Sequence, residues 1–211
     1  MPRIGGQLRT GSGMLHLMPG FPIPGAGTAF DNEREGFMEM AASRSIVDRM
    51  RGAALLDVPT YEEVEADTTA TMQAAIVVLI AAVAQAIGSL GTEGTSVPGV
   101  VIGALIGWPV WAGVTYIIGD KILGGTATWG ELLRTLGFAQ TPGILAVLAI
   151  VPFVGVLVRI VVGIWILVAG VIAIRQALDF STGKAIATAL IGWLCLVVLS
   201  VTMMGLGSLF S

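Results

Sequence analysis

Cysteine and histidine are almost missing from this 211-residue chain, which holds one of each, Cys195 and His16. One cysteine excludes an internal disulfide, and with a single distant histidine it cannot complete a zinc site. Charge is scarce as well. Charged residues make up 12%, against about 25% in a typical soluble domain. A net charge of -3 with no basic stripe argues against a nucleic-acid partner. No G-x-S-x-G, H-E-x-x-H, P-loop or G-x-G-x-x-G pattern occurs. The chain is therefore read as non-enzymatic, with no catalytic, cofactor-binding or metal residues. "MLHLMPGF" near the start is broken by Pro19 and Gly20 and has no adequate secretory core.

What is present in quantity is apolar surface. Hydrophobic residues reach 55% and mean hydropathy is +0.89. Charge is dense before Thr71 and sparse after it. A bilayer crossing takes about 20 mostly apolar residues, because backbone amides cannot stay unpaired in lipid. Five such spans are predicted, at about 72–90, 100–118, 132–151, 153–174 and 185–209. Apolar residues run from Gly143 to Ile174, and one straight helix of that length would be about 48 Å long. A turn near Pro152 resolves this, with the third span starting near Leu132. Residues 1–40, rich in Gly and Pro, read as an irregular arm. Residues 41–70 read as a cytoplasmic or interfacial helical segment, and 71–211 as the membrane domain. The fold class is an all-α polytopic bundle of five transmembrane helices preceded by cytoplasmic amphipathic segments.

Within residues 41–70, "SRSIVDRMRGAALL" sets Ile46, Met50 and Ala53 on one helical face and Arg44, Asp48 and Arg51 roughly opposite. Such a helix either lies in the interface or packs on the bundle. Thr60 with Glu63 has capping-box spacing, which predicts a short acidic helix beginning there. Asp67, Thr68 or Thr69 is placed to cap the first span. With five spans, Arg44, Arg49, Arg51, Lys121, Arg134, Arg175 and Lys184 share one side and Arg159 alone lies on the other. The positive-inside rule makes the crowded side cytoplasmic, and with it the N-terminus.

Glycines and lone polar groups mark the spans. Gly99, Gly103 and Gly107, four apart, predict close approach of a neighbouring helix, within the bundle or in a homo-oligomer. Gly155, Gly163 and Gly170 form a looser small face. Pro109 is expected to kink the second span. Polar residues inside the spans are few, and Gln85, Gln140 and Arg159 stand out among them, Arg159 shallow enough to snorkel. No carboxylate falls at the membrane centre, which argues against proton-coupled transport.

The stretch "LGGTATWGELLRTLGFAQTPGIL" joins a glycine turn, an interfacial tryptophan and a charge pair three residues apart, Glu131 and Arg134, before a proline-containing span. It resembles the most recognisable segment of the Yip (Ypt-interacting protein) domain family. "LLDVPTYEEVEAD" is similar to that family's pre-membrane helix, and "VIAIRQALDFSTGKAIATAL" to its link between the last two spans. The resemblance covers about residues 46–209. It implies five spans with a cytoplasmic N-terminus. Eukaryotic members associate with prenylated Rab-type GTPases in membrane traffic, but their Asp-Leu-Tyr-Gly-Pro motif is absent here. GTPase binding is therefore not implied, and a prokaryotic-type member of the cytoplasmic membrane is the better match.

The expected function is that of a membrane adaptor or organiser. Its partners would be membrane lipids and a protein bound at the cytoplasmic face, with Arg49, Arg51, Tyr61, Glu62, Glu63, Trp129, Glu131 and Arg134 as contact candidates. A small permease or channel for an uncharged or lipid-like solute is the alternative. An accessory subunit of a larger membrane complex is the third reading.

Overall fold

The computed structural model describes residues 44–90, 92, 96–151 and 153–209, with side chains through 195 and at 197 and 198. The N-terminal arm, 1–40, falls outside the described residues. Residues 44–211 form one compact unit. Its elements are α1 (Ile46–Ala54), α2 (Val58–Ala66), α3 (Ala70–Gly88), α4 (Val97–Tyr116), α5 (Trp129–Phe138), α6 (Gly155–Ala177) and α7 (Thr182–Leu209). A π-helical turn, Ile117–Ile122, extends α4, and a 3-10 segment, Thr141–Ile150, extends α5. No strand occurs among the described residues. Four stretches are long and apolar enough to cross a membrane: Ala70–Gly88, Val97–Ile122, Trp129–Ile150 and Gly155–Ala177. A shorter apolar stretch, Thr182–Cys195, opens α7. The molecule is a membrane helical bundle.

Local chemistry explains where the helices begin. Ser96 accepts the Gly99 amide ahead of α4, and Pro98 occupies its first turn. Thr128 and Glu131 form a reciprocal capping box, Glu131 N to Thr128 Oγ1 at 3.3 Å and Thr128 N to Glu131 Oε2 at 2.7 Å. The helix that opens the third apolar stretch therefore starts at Trp129, three residues ahead of Leu132. Pro142 has no amide to donate, and the ladder tightens to 3-10 there rather than simply bending. α4 continues through Pro109. The turn expected near Pro152 is present, with Phe153 at φ 68°.

One capping expectation is corrected. The acidic helix does not start at a Thr60–Glu63 box. Asp57 caps it, accepting the Thr60 amide at 3.2 Å, so α2 begins at Val58. α1 ends in a Schellman turn: Asp57 N reaches Gly52 O at 2.9 Å and Leu56 N reaches Ala53 O at 3.1 Å. Leu56 takes the left-handed position usually given to glycine, φ 63°. That turn folds α1 back along α2.

α3 is the central helix. Its small buried residues, Ala70, Ala74, Val77, Val78, Ala81 and Ala82, let α5 and its 3-10 extension lie close. A Cβ on Gly88 would collide with the Ala146 carbonyl, and one on Gly137 would sit 2.7 Å from the Ala74 side chain. Gly88 and Gly137 are therefore close-packing glycines of the bundle. The packing expected within the chain at Gly103 and Gly107 is not there, since neither has a heavy atom within 4 Å of a Cβ position. Gly99 approaches only its own cap, Ser96. α4 is peripheral, with only Ala112 and Thr115 buried between Val97 and Tyr116; Gly99 and Gly103 are exposed and Gly107 borders a cavity shared with Gln85 and Gln140. Gly163 is likewise open, whereas a Cβ on Gly170 would sit 3.1 Å from the Trp111 ring.

Candidate interaction face at the hairpin end

The α1–α2 hairpin is tied to the bundle by two arginines that the sequence reading placed at the surface. Arg49 is 1% exposed. Its Nε donates to Glu63 Oε1 at 3.0 Å, Nη1 to Gln73 Oε1 at 3.0 Å and Nη2 to Asp67 Oδ2 at 2.7 Å. One guanidinium thus joins α1, α2, the α2–α3 link and the first turn of α3. Its planar fork suits three acceptors in a way a lysine point charge does not. Arg44 adds an outer layer, 3.1 Å from Glu63 and 3.8 Å from Asp57, and donates to Thr60 Oγ1 at 2.9 Å.

Arg134 works from the other side. It is also buried and does not pair with Glu131, whose carboxylate is engaged in its own cap. Instead Nε donates to Val64 O at 3.1 Å and Nη2 to Glu65 O. Those carbonyls belong to the last turn of α2, where helix acceptors lack partners and the dipole is negative. Arg134 is therefore a cap supplied to α2 from 70 residues away in sequence.

The hairpin runs along α6 as well. Gln176 Nε2 donates to Glu62 Oε1 at 2.9 Å, and Trp165 Nε1 donates to Ala54 O at 2.8 Å. The two contacts lie about 16 Å apart along α6, at 1.5 Å per residue. Tyr61 is fully buried, and its hydroxyl donates to Ala53 O at 3.0 Å, so it is not a surface contact residue. Burial pushes its phenol above the ordinary range.

What remains outward is narrower than expected. Val47, Asp48, Arg51 and Leu55 form the exposed stripe of α1. Glu62, Trp129 and Arg175 are exposed nearby in the chain's hairpin-end elements. Glu63 is engaged by both Arg44 and Arg49. Of the expected contact residues, Arg49, Tyr61 and Arg134 are struts, Glu63 and Glu131 are committed locally, and Arg51, Glu62 and Trp129 stay accessible. Gln85 and Gln140 line a 260 Å³ cavity under Trp108, and Gln85 with Arg159 lines another of 200 Å³. Arg159 is exposed at the far end of the bundle, donating to Gly88 O at 3.0 Å. Gln73, Trp165 and Gln176 escaped the sequence reading; only Gln73, a polar residue opening an apolar run, left a signal there.

Carboxylates gather where the hairpin docks. Glu65 is pushed up to about 7 by desolvation first, then by Glu131, Asp179 and Glu62, with Arg134 opposing. Asp67 is held below the usual carboxylate range, chiefly by the Thr69 hydroxyl and then by Arg49. Glu65 binds its proton more tightly folded than unfolded, so its support is complete below its unfolded pKa and fades as pH rises through about 7. Asp67 acts oppositely, supporting docking above its unfolded pKa and losing that support as pH falls through its lowered value. Tryptic cleavage after Arg51 should therefore speed up as pH rises through about 7, relative to the same cleavage in Glu65→Gln. Parallel pH profiles for the two proteins would show that Glu65 does not control docking.

A buried-arginine hairpin seated on an apolar helical bundle is the architecture of a polytopic membrane protein. Among the described residues no group of three metal-ligating side chains stands together. The family profile of the Yip1 domain matches residues 56–204, more than half of the chain, so the protein belongs to the Yip1 domain family. The matched segment opens at Leu56, the left-handed turn residue, and takes in α2 to α6 and most of α7. No curated protein and no solved structure matches the chain.

Proposed function

We propose that this protein is a non-enzymatic membrane adaptor that displays the outer stripe of α1 to a cytoplasmic protein partner. One observation carries the reading. The hairpin's buried charges are consumed in fixing it to the bundle, while Val47, Arg51 and Leu55 are held outward, the two apolar residues 68% and 66% exposed. A rigid, mixed apolar and charged stripe suits recognition better than a solvated face does. Photo-crosslinking from a probe at Asp48 in cells tests it. Arg51→Glu with Leu55→Ser should abolish a discrete crosslinked product while leaving the bundle's thermal midpoint unchanged. A product that survives both substitutions would refute the reading.

The same proposal has five spans, with α7 the fifth and the N-terminus cytoplasmic, supported by the seven-to-one distribution of basic residues. After the exposed Cys195 is changed to Ser, single cysteines at Gly94 and Ser208 should label from outside intact cells. Cysteines at Gly125 and Ser181 should not. Outside labelling at Gly125 would reverse the orientation and remove the cytoplasmic face from the account.

A small permease for an uncharged solute is the second reading, favoured by the two cavities that share Gln85. Solute flux into proteoliposomes that disappears in Gln85→Leu would place that reading ahead.

A further inference from the structure

Between α4, α6 and α7, bordered on α6 by residues from Arg159 to Leu167, lies a groove of about 570 Å³. That lies within the ~300–1,000 Å³ of ordinary small-molecule sites. Trp111, Leu167, Leu190 and Trp193 wall it, and Gly163 opens it, because nothing lies within 4 Å of where its Cβ would be. Leu190 and Trp193 are 51% and 57% exposed, so the groove faces outward along the apolar flank of the bundle. A groove with such walls in a membrane protein meets acyl chains before any other ligand.

Its one charged wall residue is Arg159. Nη2 donates to the Gly88 carbonyl at 3.0 Å and to Thr92 Oγ1 at 3.4 Å. Gly88 ends α3, so the guanidinium sits at the level where that span meets the headgroups. Five N–H donors belong to an arginine, and these two bonds involve only Nη2. Among the described residues no carboxylate forms an ion pair with Arg159. A cation beside hydrocarbon is costly unless an anion meets it.

We propose that this groove is a binding site for an anionic phospholipid, one acyl chain lying between Trp111, Gly163 and Trp193 and the phosphate at Arg159. The arrangement separates the two halves of the ligand as a phospholipid does, an apolar channel ending at a cation with bidentate reach. The site is independent of the α1 stripe and of the adaptor reading.

Brominated lipids test it through tryptophan quenching. The full-length protein is reconstituted in phosphatidylcholine vesicles, with brominated phosphatidylglycerol or brominated phosphatidylcholine replacing an increasing share of the lipid. The Trp193 contribution is obtained by subtracting the signal of Trp193→Phe. Brominated phosphatidylglycerol should half-saturate quenching at about tenfold lower mole fraction, the equivalent of one hydrogen bond to a charged group. Arg159→Gln should bring the two curves together. Gly163→Leu, which fills open space and leaves Arg159 in place, should remove the saturable component for both lipids. Gly103→Leu, on an open face elsewhere, should change neither curve. Coincident curves in the unaltered protein, or a preference for phosphatidylglycerol that survives Arg159→Gln, would overturn the proposal.

Discussion

Replacing Arg49 by methionine should release the α1–α2 hairpin from the bundle while α3 to α6 stay folded. The substitution keeps a flexible apolar stem but removes the charge that joins Glu63, Asp67 and Gln73. Removing one partner of a buried ion pair costs about 3–5 kcal/mol, since the other charge is left uncompensated. The lower end applies here, about 3 kcal/mol. Glu63 keeps Arg44 and Asp67 keeps Thr69, and both carboxylates are partly exposed. A local opening constant raised about 100-fold follows, measured as faster amide exchange in α1 and α2 against unchanged exchange in α3. Arg49→Lys should recover only part of the loss, because one ammonium cannot serve three acceptors on different elements in the geometry of a guanidinium. Equal exchange in all three proteins would mean that Arg49 does not hold the hairpin.

The second large effect concerns Gly88. Gly88→Leu places a side chain against the backbone carbonyl of Ala146, which cannot rotate away as a side chain could. Overpacking a tight core costs about 1–3 kcal/mol and occasionally more. Gly88→Leu should fall at or above the top of that range, because two backbones must separate. Gly103→Leu meets open space and should stay within about 0.5 kcal/mol. Thermal stability in mild detergent, read by loss of the monodisperse peak, distinguishes them. Equal midpoints for the two variants would place α3 and the Thr141–Ile150 segment further apart than described.

The glycines show what a sequence pattern carries and what it does not. Four-residue spacing at Gly99, Gly103 and Gly107 states that one face of α4 is smooth. It does not state that a neighbour sits there, and in the structure none does at Gly103 or Gly107. Gly88 and Gly137 stand in no regular glycine series; their importance comes from which backbone passes by, a tertiary fact. The apolar stretches were legible because length and hydropathy follow from the bilayer itself. The helix start at Trp129 was nearly so, since Thr128 and Glu131 have capping-box spacing.

Charged residues were the least legible. Hydrophobic periodicity assigns an arginine to the polar face by default, yet Arg49 and Arg134 are buried. The donors of both are met by acceptors remote in sequence, Glu63, Asp67 and Gln73 for one and the end of α2 for the other. No local pattern announces that a helix terminus will arrive opposite Arg134. The consequence for function is direct. Substitutions at Arg49 or Glu63 would disturb docking and mimic a binding defect, whereas Arg51 and Leu55 can be changed without touching the latch.

Amide hydrogen exchange of the unaltered protein in lipid vesicles, at neutral pH, tests the central claim of a latched hairpin most directly. The account predicts that α1 and α2 amides are protected to a degree comparable with the first turns of α3, the protection extending to the Gly52–Asp57 turn. Exchange of residues 46–66 at unfolded-chain rates, with α3 to α6 fully protected, would contradict it.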